Sequence, residues 1–202
     1  MGRRHLPNGA LSGLVAGLLG LSLLTGPVHP AGAKATVRLH DPAERPIGTV
    51  RLAEKGGNVL VQAVVHSLSP GFHGFHVHAV GKCDPSTATP FTSAGGHFNP
   101  RGVGHGEHAG DLVPLLINSD GTGRLRFSTD RFTIAELLDD DGSALIVHAG
   151  RDNLANIPTR YHSHGADVTG PDPETLATGD AGGRVACGVI QAKSGWPGRD
   201  GS

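Results

Sequence analysis

Long apolar runs, basic patches, internal repeats and cysteines are all scarce or missing in this 202-residue chain. The longest apolar run, Ala10–Leu24, falls short of the ~20 residues that a membrane helix needs. Lys and Arg number 17 against 18 Asp and Glu, so nothing in the charge balance points to nucleic acid. Helical periodicity is almost absent. No cysteine stands just after the apolar run, which argues against a lipid-anchored leader. Only Cys83 and Cys187 are available for a bridge. In an exported chain such a pair reads as one disulfide, in a cytosolic one as two buried thiols.

The chain starts with Arg3 and Arg4, then the apolar run, then Ala31-Gly32-Ala33 as a small-x-small cleavage site. This predicts a secretory signal peptide over residues 1–33 and a secreted or cell-envelope protein with no membrane span in its mature form. Arg3-Arg4 lacks the surroundings of a twin-arginine signal. The mature chain then carries 15 basic and 18 acidic residues.

From Lys34 the pattern alternates apolar and polar residues with turn signals between, which is strand patterning. Strands are expected at Ala35–His40, Ile47–Glu54, Asn58–His66, Phe72–Val80, Asp111–Ser119, Gly123–Thr129, Ala144–His148 and Arg184–Gln191, with one helical turn over Arg131–Leu138. Two long stretches, Gly81–Gly110 and Ala149–Gly183, have no apolar period and read as functional loops. About eight short strands with almost no helix argue an all-β, antiparallel sandwich or barrel. Residues 34–192 make one domain, and 193–202 a loose tail.

The 13 histidines matter through their clustering. In Gly74-Phe75-His76-Val77-His78, alternation puts His76 and His78 on one face of a strand and Phe75 and Val77 on the other. Two imidazoles on a rigid face suit zinc, copper, iron or nickel. His97, His105, His108 and Asp111 offer three imidazoles and a carboxylate, the closed set zinc takes in structural sites. His148 ends a core strand, as a rigid ligand should. A solvated polar loop is the plain alternative for His105–Asp111.

Several stretches together resemble the copper/zinc superoxide dismutases, of the bacterial, exported type. They are His73–His78 (HGFHVH), Ser93–Pro100 (SAGGHFNP), His108–Leu112 (HAGDL), Ile146-Val147-His148 and Thr178–Ile190 (TGDAGGRVACGVI). They occur in the family's order and cover most of residues 34–191. The resemblance implies a Greek-key β-barrel and conversion of superoxide anion to dioxygen and hydrogen peroxide. It implies copper on His76, His78, His97 and His148, and zinc on His97, His105, His108 and Asp111. His97 would then be shared by both metals and act in catalysis. Asp152 would hold His76 and His105 from behind, Arg184 would dock the anion, and Thr178 would narrow the channel. Cys187 would pair with Cys83 and pin the ligand loop to the last strand. A homodimer is left open.

Three departures from the family stand out. Only two residues separate His105 from His108, fewer than in many relatives. Ala177 stands where many members have a steering lysine, and Arg151–Arg184 holds three Arg against five acids. His162 and His164 match no family role and read as loop-surface histidines. The rival readings are an exported copper-buffering module, which could dispense with Arg184 or His97, and a zinc hydrolase, for which Glu107 is the only nearby base.

Overall fold

The computed structural model describes residues 1–2 and 32–193. Residues 3–31 of the expected leader and 194–202 of the expected tail lie outside the described residues. No helix among the described residues is long and apolar enough to cross a membrane.

Nine strands form one sheet: β1 (Lys34–His40), β2 (Pro46–Lys55), β3 (Asn58–Val65), β4 (Gly71–His73), β5 (Phe75–His78), β6 (Leu115–Ile117), β7 (Gly123–Thr129), β8 (Ala144–His148) and β11 (Arg184–Ala192). Their spatial order is β4-β6-β7-β3-β2-β1-β11-β8-β5, and every pairing is antiparallel. The two outermost strands, β4 and β5, are separated in the chain by Gly74 alone. The sheet therefore has to curl until its edges nearly meet, and its alternating apolar face closes around one core. Val37, Leu39, Val50, Leu52, Val61, Phe75, Val77, Leu115, Leu145 and Val147 fill that core.

The single strand expected over Phe72–Val80 is thus two. β4 pairs with β6, and β5 pairs with β8. Alternation runs through Gly74 unbroken, so only the change of partner marks the break. The strand expected over Asp111–Ser119 shrinks to β6. The expected helical turn over Arg131–Leu138 is a short 3-10 turn at Glu136–Leu138. The second long loop is not featureless: it holds the ribbon β9 (His162–Ser163) with β10 (Val168–Thr169) and one turn of helix, α1 (Thr175–Thr178).

β8 is buried along its whole length. Leu145 and Val147 face the barrel core, while Ala144 and Ile146 pack with Phe91, Ala94 and Cys187 under the first long loop. A strand covered on both faces has no polar side to show, hence its unbroken apolar run. Cys83 packs against this second cluster and is disulfide-bonded to Cys187, with Cα atoms 5.7 Å apart across 104 residues. Ala33, the last residue of the expected leader, is fully buried in the barrel core, and its carbonyl accepts from Glu54 N–H at 2.8 Å.

Candidate metal centre

Backbone pairing draws the first long loop onto β5. Asp111 bridges to His76 and His97 to His78. Val77 N–H donates to Gly110 O at 2.9 Å, and Phe98 N–H to Val77 O at 2.8 Å. Each histidine of β5 therefore has a donor from the loop beside it. On the other side β8 carries His148, and Arg184, the first residue of β11, sits opposite His148 in register.

Hydrogen bonds fix which nitrogen of each ring is free. His76 Nε2 donates to Asp152 Oδ2 at 2.7 Å, which leaves Nδ1 bare. His105 Nε2 donates to the other oxygen, Oδ1, at 2.8 Å, which likewise leaves Nδ1 bare. His78 Nδ1 donates to Gly95 O and His148 Nδ1 to Gly182 O, both at 2.9 Å, leaving their Nε2 atoms bare. A ring nitrogen committed as donor sets the tautomer and aims the other lone pair.

These lone pairs converge on two points. Donor atoms of His76, His78, His97 and His148 lie within 4.8 Å of one another, and so do those of His97, His105, His108 and Asp111. His97 belongs to both sets. Its Nδ1 lies 2.9 Å from Asp111 Oδ1 and 3.2 Å from His108 Nδ1, and its ring stands 4.1 Å from that of His76. His78 Nε2 and His148 Nε2 are 3.4 Å apart, facing each other.

His76 Nδ1 and His105 Nδ1 are buried without a hydrogen-bond partner; His105 Nδ1 is 3.2 Å from Asp111 Oδ1 but outside bonding geometry. A buried polar atom left unpaired costs about 1–3 kcal/mol. Two such atoms, each in a different cluster, fit metal donors: His76 Nδ1 as a bare lone pair, and His105 Nδ1 once a metal displaces the proton that Asp111 and Asp152 favour there. The donor types fit as well: imidazoles alone in one set, imidazoles with a carboxylate in the other.

Burial, helped by His97, holds His78 well below its ordinary range. Burial also pushes His76 down to about 4 against the pull of Asp152, and His148 down to about 3. All three are neutral at pH 7, the form a metal requires. Burial works against charge on His105 too, but Asp111 and Asp152 outweigh it and raise it to about 9. Burial opposes both carboxylates, yet His105 and His97 hold Asp111, and His105 and His76 hold Asp152, well below the usual range.

Arg184 is anchored by Nη1 to Phe91 O and by Nη2 to Gly95 O, both at 2.6 Å. Thr178 ends α1 and donates to Glu174 O at 2.9 Å. His162 and His164 are exposed, with His162 Nε2 3.1 Å from Asp167 Oδ1.

Two residues escaped the sequence reading. His73 is buried, its Nδ1 2.6 Å from His148 O and its Nε2 2.8 Å from Ser69 O, so it ties β4 to the end of β8. Its place in the HGFHVH motif was the available signal. Arg131 bonds to three carbonyls of the segment that holds His105, His108 and Asp111; no motif marks it.

The sequence model of the copper/zinc superoxide dismutases matches residues 47–190. The copper/zinc superoxide dismutase of Mycolicibacterium paratuberculosis is 41% identical over 189 residues, covering 83% of each chain. That of Mycobacterium tuberculosis is 41% identical over 171 residues, covering 80% of this chain and 71% of its own. Among solved structures, the Cu/Zn superoxide dismutase of Brucella abortus superposes with a TM-score of 0.59 at 29% identity, covering 78% of this chain and 99% of that one. A SOD-like protein from Bacillus subtilis gives 0.59 at 28%, covering 76% and 96%. With a nearly closed antiparallel barrel, two convergent histidine sets and these relatives, the chain belongs to the copper/zinc superoxide dismutase family, enzymes that use copper and zinc to remove superoxide.

Proposed function

We propose that this chain is an exported superoxide dismutase whose copper is held by His76, His78, His97 and His148 and whose zinc is held by His97, His105, His108 and Asp111. The carrying observation is the membership of His97 in both donor sets. When bound, copper supplies a one-electron couple and zinc a fixed positive charge. Two superoxide anions and two protons become one dioxygen and one hydrogen peroxide.

The chain's own residues do the rest. Asp152 holds His76 and His105 with one carboxylate, so the two sets keep a fixed spacing. Arg184, rigid between two carbonyls, offers its cation to the incoming anion. His97 turns Nδ1 to Asp111, and its other nitrogen carries a proton to the departing peroxide. Thr178 narrows the approach. Ala177 and the acidic surplus of Arg151–Arg184 leave Arg184 as the principal attraction for substrate.

Export is supported by the leader composition and by the Cys83–Cys187 bridge, which belongs in an oxidising compartment. The burial of Ala33 favours a mature chain that retains it. The N-terminal mass of protein recovered from culture fluid or envelope fractions reads both points. Sedimentation of the purified protein decides between a monomer and the homodimer left open above.

Metal analysis together with superoxide consumption tests the whole reading. One copper and one zinc per chain with rapid consumption are expected. Copper bound without turnover would favour the copper-buffering reading instead.

A further inference from the structure

The segment Gly104–Asp111 carries three of the four proposed zinc donors and has no regular secondary structure. Several of its backbone polar groups are nonetheless held by two side chains, Asp111 and Arg131. Gly106 N–H and His108 N–H both donate to Asp111 Oδ2, at 2.7 and 3.1 Å. The carbonyls of Gly106, His108 and Asp111 all accept from one other side chain. Arg131 Nη1 donates to Gly106 O at 3.2 Å, His108 O at 3.1 Å and Asp111 O at 3.3 Å, and Nη2 donates to Gly106 O at 3.2 Å.

The loop is thus gripped from both sides. The Asp111 carboxylate collects two of its N–H groups, and the Arg131 guanidinium collects three of its carbonyls. Arg131 itself is fixed to the barrel: it follows β7, its N–H donates to Thr129 Oγ1 at 3.2 Å, and the next residue, Phe132, is buried. Two of the three carbonyls belong to His108 and Asp111. Their backbones, and with them the directions of their donor atoms, are set by a residue outside the loop.

A cation this close to a dication site opposes metal binding by Coulomb repulsion. Its presence therefore needs an offsetting gain, and the planar fork supplies one. Arg presents several donors in rigid geometry, so one side chain can hold three acceptors of a short loop, of which only His108 O also has a partner within it, Asp111 N–H at 3.2 Å. We propose that Arg131 is a positioning residue of the zinc site, holding the short His105–His108 interval in its metal-binding form before the metal arrives. This rests on the zinc assignment proposed above.

The test uses the full mature chain, freed of metal and reloaded. Zinc affinity is measured by competition with a chromophoric chelator in the parent, Arg131→Ala and Arg131→Lys. Copper affinity serves as the control. Cobalt(II) loaded in place of zinc gives a visible spectrum that reports coordination geometry directly. Loss of a group that orients ligands from behind typically lowers metal affinity by about 10- to 100-fold. That fall is expected in Arg131→Ala, with a weakened or shifted cobalt spectrum and copper affinity unchanged. Arg131→Lys keeps the charge but not the fork, and should recover part of the loss; it also serves if the Ala variant does not fold. Unchanged or tighter zinc binding with the parent's cobalt spectrum overturns the inference, as does an equal fall in copper affinity. A parent that takes copper but no zinc overturns the zinc assignment itself, and this inference with it.

Discussion

Arg184 and His78 hold the same carbonyl oxygen. Gly95 O accepts from Arg184 Nη2 at 2.6 Å and from His78 Nδ1 at 2.9 Å. The guanidinium and a proposed copper ligand are therefore positioned by one atom, two residues before His97. Anchoring of this kind converts a long, flexible side chain into a fixed charge.

Replacing Arg184 by Ala should lower turnover at low substrate by about 10- to 100-fold, or ~1.4–2.7 kcal/mol of lost transition-state stabilisation. Copper content should hold. Arg184→Lys keeps the charge and should retain more activity than Ala. Rates in the unaltered enzyme should fall as salt is raised. Full activity of the Ala variant with both metals bound would reduce Arg184 to a brace for Phe91 and Gly95.

Gly179 lies against the bond between Asp152 and His105. A Cβ there would overlap Asp152 Oδ1 and His105 Nε2, and its φ of +62° strains any other residue. Gly179→Ala should break that bond and weaken zinc binding by about 10- to 100-fold. Asp152→Ala should weaken both metals, because it frees His76 as well. Chelator competition measures each; a Gly179→Ala variant that binds zinc like the parent would contradict the crowding.

Acid should destabilise the metal-free protein. His76 and His148, pushed by burial down to about 4 and about 3, stay neutral in the folded state. Unfolded, they take up protons below about pH 6.5. The unfolded state binds more protons there, so stability falls as pH drops from 6.5 through 4. Asp111 and Asp152, held low, add a further loss below about 3.8. His105, raised to about 9, acts oppositely: its contribution is complete below 6.5 and is lost as pH rises through 9. Urea unfolding at about pH 5 against pH 7 should show a loss of about 2–4 kcal/mol. An unchanged or higher midpoint at the lower pH would contradict this.

The Cys83–Cys187 bridge closes a span of 104 residues. In the chain-entropy view such a loop stabilises by about 4–5 kcal/mol. Unfolding of the oxidised protein against a Cys83→Ser, Cys187→Ser double variant measures it. Thiol titration of unfolded, unreduced protein should find no free thiol.

The residues of the two clusters were legible partly by pattern and partly by the family resemblance, which alone joined the distant His97 and His148 to His76 and His78. His76 and His78 share a face by simple alternation, and the apolar residues before His148 mark a core strand. The split of Phe72–Val80 was hidden because His73, Phe75 and Val77 continue one alternation while the strand changes partner. The ribbon at His162–Thr169 and the turn at Thr175–Thr178 are too short to carry a period. Arg131 was invisible for another reason: its partners are backbone carbonyls, which every residue has.

The proposed sharing of His97 is tested most directly by electron paramagnetic resonance of protein loaded with copper(II) for the His76–His78–His148 set and cobalt(II) for the His105–His108–Asp111 set. A deprotonated His97 bound on both sides would couple the copper spin to the cobalt spin. The account predicts that the copper signal collapses when cobalt enters and returns when cobalt is removed. A copper signal of full intensity, with one of each metal bound per chain, would show that His97 is not shared.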